Sequence, residues 1–96
     1  MATDGAALND EGKSLIDAGQ PEEAVPVLEE AVAALEGSGD ELTYNYALFN
    51  LAQALRQSGR PDEAIPLLEQ RLDYPDQTEV VQAELDAALA EAGQTE

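Results

Sequence analysis

Residues 19–29 read GQPEEAVPVLE and residues 59–69 read GRPDEAIPLLE, so one phrase is written twice in a chain of 96 residues. Seven of its eleven positions are identical, and most of the others are conservative exchanges. A short unit spelled twice cannot bury its apolar face alone and is stable only when stacked on its neighbours. The repeat therefore predicts a stacked helical surface for holding something, not a catalytic pocket. Each copy opens on Gly-x-Pro: the glycine suits the residue just past a helix end, and the proline suits the first position of the next helix.

The same punctuation divides the rest of the chain. A first amphipathic helix is predicted from about Thr3 to Ala18, with Leu8, Leu15 and Ile16 apolar and Gly19 stopping it. The second starts at Pro21, carries Ala24, Val27, Leu28, Ala31, Val32 and Leu35 on one face, and ends at Gly37-Ser38-Gly39. Ser38 and Glu41 have capping-box spacing for a third helix running to Ser58, with Leu48, Leu51, Ala52 and Leu55 as its buried stripe. The fourth runs from Pro61 to about Asp73. Asp76 and Glu79 are placed to cap a fifth, whose Val81, Leu85, Ala88, Leu89 and Ala92 form an apolar face ending at Gly93. Loops of two to five residues make these helices antiparallel neighbours. Pro26 and Pro66 fall inside helices at the same offset in both copies, where proline deletes a hydrogen bond and induces a bend.

Composition narrows the chemistry. Apolar residues make up 44% and aromatics only 4%, so the core is expected from Leu, Val, Ile and Ala, which suits close-packed helices in one domain. The absence of Cys and His removes disulfides, thiolate and imidazole metal sites, cysteine nucleophiles and the commonest general base. Twenty-one acids stand against Lys13, Arg56, Arg60 and Arg71, a net charge of −17. Such a surface repels phosphate backbones and anionic membranes, so neither nucleic acid nor membrane is expected as a partner. It is first a solubility device, as in a salt-adapted or engineered protein, and secondly an attraction for basic partners. Neither a membrane-spanning run nor a basic-then-apolar leader is apparent, which with the lack of Cys leads to the expectation of a cytoplasmic protein. Carboxylate pairs such as Asp73 and Asp76, or Glu22 and Glu23, lie at helix ends and on exposed faces with nothing to raise a pKa. No enzyme, cofactor or metal is expected.

The residues Leu48-Phe49-Asn50-Leu51-Ala52-Gln53-Ala54-Leu55, then Gly59, then Asp62-Glu63-Ala64-Ile65 and Leu68 resemble the consensus of the tetratricopeptide repeat. The first copy matches through Leu8, Gly12, Leu15, Gly19, Glu23-Ala24, Leu28 and Ala31, and departs at Glu11, where the family usually buries a leucine. The resemblance implies an all-α, right-handed superhelix of antiparallel hairpins. Unit one would span about 5–38, unit two about 45–78, and a capping half unit about 79–93, five helices in a single domain over 1–96. Gly59 to Gly93 is 34 residues, the usual period of this repeat, whereas Gly19 to Gly59 is 40. The six extra residues are expected to lengthen the turn around Leu35 to Thr43. Past Gly93 the chain begins to respell the phrase with Gln94-Thr95-Glu96. The wording is also similar to short arrays appended to bacterial serine/threonine kinases, a likeness that implies no kinase activity here.

By the same resemblance, the first helix of each unit lines a concave groove that grips peptides. Tyr46, Phe49, Gln53 and Arg56, with Asn50 beside them, would form its centre. Asn9, Lys13 and Ile16 would come from the first unit, and Val80, Ala83, Ala87 and Ala90 from the third. Aromatic and arginine side chains are common interface anchors. The expected function is a non-catalytic protein-interaction module or scaffold taking a peptide or partner helix. The alternatives are a self-associating array that dimerises through Val81, Leu85 and Leu89 of an uncovered last helix, and a model repeat protein with no natural ligand.

Overall fold

The computed structural model describes residues 4–94. It contains five α-helices: α1 (Gly5–Asp17), α2 (Pro21–Leu35), α3 (Glu41–Gln57), α4 (Pro61–Leu72) and α5 (Thr78–Gln94). No strand occurs among the described residues. The expected helix start at Thr3 and the closing Thr95-Glu96 lie outside them.

Each helix packs mainly on the next in sequence, and α3 also meets α1 on one side and α5 on the other. Both repeated phrases act at the turns. Gly19 and Gly59 have φ of +79° and +81°, in the left-handed region where a side chain is strained. That geometry lets the backbone N–H of Gln20 reach the carbonyl of Leu15 at 2.8 Å, and that of Arg60 reach Leu55 at 2.9 Å. The last carbonyls of α1 and α3 are thereby satisfied. Pro21 and Pro61 then open α2 and α4 where a missing N–H costs nothing. Pro26 and Pro66 lie inside those helices on exposed faces.

The core is leucine and alanine. Leu28 and Leu68, equivalent residues in the two phrases, are both fully buried, as are Ala24 and Ala64. They join Leu51, Ala52, Leu55, Val81, Leu85 and Ala88 in one cluster, so α5 is part of the core. Ala31, Leu35 and Ala47 form a second cluster beneath the α2–α3 turn. α1 and α2 approach closely at Gly12, where an added Cβ would lie 2.3 Å from Leu28 Cγ. Glu11 is exposed, as a charge at that position requires.

Three local expectations are corrected. Ser38 does not cap α3. Gly37 and Gly39, with φ of +73° and +92°, carry the chain two residues further. Asp40 then takes the cap, its Oδ1 accepting from Thr43 N at 3.1 Å, while Ser38 Oγ accepts from Asp40 N. Asp76 does not cap α5. Its Oδ2 stands 3.8 Å from Arg71 Nη2, and the helix begins at Thr78 after Gln77, whose φ is +54°. Gly93 does not end α5, which runs through it to Gln94. Glycine permits a stop, but helical hydrogen bonding continues where nothing opposes it.

Candidate peptide-binding site

The first helices of the successive pairs lie side by side, and α1, α3 and the start of α5 enclose a recess of about 330 Å³. Asn9, Lys13, Tyr46, Phe49 and Asn50 line it, five of the twelve residues expected along the groove. Helical spacing explains their convergence. Asn9 and Lys13 are one turn apart on α1, as are Tyr46, Phe49 and Asn50 on α3, and α1 packs on α3 directly.

At the junction Asn50 Nδ2 donates to Asn9 Oδ1 at 2.9 Å, and both residues are buried. Each amide has more hydrogen-bonding capacity than this one bond uses, because Asn9 Nδ2 and Asn50 Oδ1 stay outside it. Tyr46 is 37% exposed beside the pair, and Phe49 is half-buried, packed partly on the core. Lys13 is held by Asp17 one turn on at 2.6 Å, both side chains largely in solvent.

The other expected residues do not line this recess. Gln53 is half-buried and lies outside the recess. Arg56 is committed to α5: its Nε donates to Glu84 Oε2, Nη2 to Glu84 Oε1 at 3.3 Å, and Nη1 to Glu91 Oε2 at 2.8 Å. The hydrogen bond with Glu84 holds the guanidinium pKa above its ordinary value, against the opposing effect of burial. Ile16 is not groove-facing but belongs to the core. Val80, Ala83 and Ala90 are exposed and Ala87 half-buried. The expected self-association face is corrected too. Val81 and Leu85 are 1% and 7% exposed because α3 and α4 cover them, which leaves Leu89 at 49%.

Four further residues line the recess: Asp10, Arg71, Gln77 and Val81. Arg71 is the least expected, since it comes from the last turn of α4 and is 1% exposed. Its Nη1 donates to the Tyr74 carbonyl at 3.1 Å and Nη2 to the Asp76 carbonyl at 2.8 Å. The guanidinium carbon also lies 5.5 Å from the Tyr74 ring centroid. The signal was present in the sequence: Ala64, Leu68 and Arg71 fall on one helical stripe, so a buried face carries a charge.

Successive helix pairs whose first helices share one recessed face form a helical-repeat scaffold. A family profile for the tetratricopeptide repeat matches residues 4–75, three quarters of the chain, and the chain belongs to that family. The match covers α1 to α4 and stops before α5. Such repeats generally serve as protein-interaction modules rather than catalysts. No curated protein and no solved structure matches the chain. Among the described residues no helix is long and apolar enough to cross a membrane, and no group of three or more acids is placed to hold a metal ion.

Proposed function

We propose that this chain is a non-catalytic binding module that takes an extended segment of a partner protein along the face shared by α1 and α3. The observation that carries the reading is the recess itself. It sets Tyr46 and Phe49 beside the buried Asn9–Asn50 pair, so apolar area and amide hydrogen-bonding groups are offered together. Aromatic rings supply buried contact area at little entropic cost, and side-chain amides pair well with the backbone N–H and C=O of an extended chain. The segment is expected to run over the Asn9 and Lys13 end, because Arg56 at the other end is already held by α5.

Immobilised protein exposed to a library of short peptides tests this. Tyr46→Ala combined with Phe49→Ala should cut the retained pool by about tenfold or more, with helicity unchanged in circular dichroism. A pool of the same size and composition on the double variant would exclude the recess as the site.

A further inference from the structure

A second hollow, of about 330 Å³, opens between the start of α3 and the end of α4, and none of its lining residues belongs to the recess. Glu41, Tyr44 and Asn45 come from α3, Gln70 from α4, and Asp73 and Tyr74 from the turn that follows. The antiparallel α3–α4 hairpin brings these positions together. Asn45 is the informative residue. It is only 8% exposed, and its Nδ2 donates to the Glu41 carbonyl at 2.8 Å. That bond fixes the orientation of the amide and leaves Oδ1, an acceptor, without a donor from the protein. A buried acceptor left unpaired is costly to keep. Gln70 spends its Nε2 on Tyr44 Oη at 2.9 Å, so its spare group is also an oxygen. Together with the carboxylates of Glu41 and Asp73, the lining presents acceptors from four side chains and contains no Lys or Arg. Tyr44 forms a firm wall among them, because it packs on the cluster of Ala31, Leu35 and Ala47.

From this lining we infer that the hollow is a second docking site, which takes an arginine side chain from a basic segment of a partner protein. A guanidinium is the cation that matches it. It is planar, carries five N–H donors for several acceptors at once, and stacks on aromatic faces, whereas an ammonium is compact and more strongly hydrated. Tyr44 is the ring available to it, since Tyr74 already has the Arg71 guanidinium carbon 5.5 Å from its centroid. Arg71 does not cancel the attraction. Its Nη1 and Nη2 are spent on the Tyr74 and Asp76 carbonyls, and the Asp76 carboxylate offsets its charge at 3.8 Å. The N-terminus of α3 opposes a cation and the C-terminus of α4 favours one, so the carboxylates of Glu41 and Asp73 set the sign. Glu41 and Tyr44 also line a neighbouring hollow with Glu36 and Asp40, which continues the acidic surface for a second basic residue of the same segment. The net charge of −17 draws such a segment from a distance. Because the recess takes no part, this inference stands apart from the peptide-binding reading above.

Peptides of Ser and Lys, capped at both ends and centred on Arg, Lys or the neutral isostere citrulline, test this by titration into ¹⁵N-labelled protein. At about 0.3 M salt long-range attraction is largely screened, so contact decides the result. The Arg peptide should bind about tenfold or more tighter than the citrulline peptide and about threefold or more tighter than the Lys peptide. The largest shifts should fall on the Asn45 side-chain amide and the backbone amides of Tyr44 and Tyr74. Equal affinity for Arg and Lys, or shifts spread evenly over the acidic helix faces, overturns the proposal. Glu41→Gln combined with Asp73→Asn should weaken the Arg peptide about tenfold. Glu22→Gln combined with Glu23→Gln removes the same charge from exposed residues elsewhere and should change binding by about twofold or less. Equal losses in the two double variants would assign binding to the overall field and overturn the site. Tyr46→Ala combined with Phe49→Ala should leave the Arg peptide bound. Loss of binding there would place the peptide in the recess, which overturns this proposal and leaves the peptide site standing. Should the Glu41 and Asp73 double variant fail to fold, the wild-type affinities and the shift map decide alone.

Discussion

Asn50 on α3 donates to Asn9 on α1 across 2.9 Å, bridging 41 positions of sequence with both residues buried. The bond ties together the two helices that form the recess, so it serves the fold and the site at once. Truncating either partner leaves the other amide under-satisfied. Asn50→Ala should cost about 1–3 kcal/mol in urea unfolding, the usual penalty for orphaning a buried polar group. The Asn9→Ala, Asn50→Ala double variant should lose less than the sum of the singles, by about 0.5–1.5 kcal/mol. Strict additivity would show that the amides do not depend on one another.

Two glycines give opposite expectations for the same substitution. At Gly12 a methyl group would meet Leu28 Cγ at 2.3 Å and Cδ2 at 2.4 Å, and Leu28 is fully buried with nowhere to turn. Gly12→Ala should therefore destabilise by about 1–3 kcal/mol, even though alanine is the better helix former. Gly93, helical with nothing within 4 Å, has no such neighbour. Gly93→Ala should raise stability by up to about 0.5–1 kcal/mol, less if the last turn frays. Thermal melts of the two variants, moving in opposite directions, are the check.

What could be read in the chain was local or periodic. Gly19-x-Pro21 and Gly59-x-Pro61 announce turns because conformation at those positions is decided within a few residues. Leu48, Leu51 and Leu55 announce a buried face because 3.6-residue periodicity needs no knowledge of the partner. Five recess residues followed from the resemblance to the repeat family, carried onto the matching positions of α1 and α3. The rest depended on geometry that spacing does not carry. Whether Ser38 or Asp40 caps α3 turned on two glycines with positive φ between the helices. The pairing of Arg56 was not legible because the acids that hold it, Glu84 and Glu91, are 28 and 35 positions away. Arg71 was concealed because a charge on an apolar stripe is ordinarily placed at the surface, whereas here the Tyr74 and Asp76 carbonyls fold back over it.

The Arg56 cluster ties α5 to α3, in addition to the core packing of Val81, Leu85 and Ala88. Arg56 and Glu84 side chains are only 21% and 11% exposed, so solvent screens the pair weakly. Hydrogen bonds to charged groups contribute more than neutral ones, and Glu84→Gln should cost about 1.5–3 kcal/mol. Glu91→Gln should cost less, since that carboxylate is 40% exposed. Hydrogen exchange locates the effect. Amides of α5 should exchange faster in Glu84→Gln while those of α2 and α3 change little. Uniform acceleration in all five helices would mean that α5 is not a separately releasable element.

Acid should act on the start of α3 with a definite sign. The Asp40 carboxylate accepts from Thr43, first through the side chain and then through the backbone N–H, and this holds its pKa below the ordinary value of 3.8. A carboxyl whose folded-state pKa is depressed stabilises the fold fully above its unfolded value, and that contribution fades as pH falls through the folded one. The Arg60 hydrogen bond lowers Glu63 from 4.5 in the same direction. Asp40→Ala should therefore melt below wild type at pH 7, because Thr43 N–H loses its acceptor. The gap between the two melting temperatures should stay constant down to about pH 4 and close below it, as the wild-type cap is protonated. A gap that persists unchanged at pH 2 would mean that the ionised form of Asp40 is not what caps the helix.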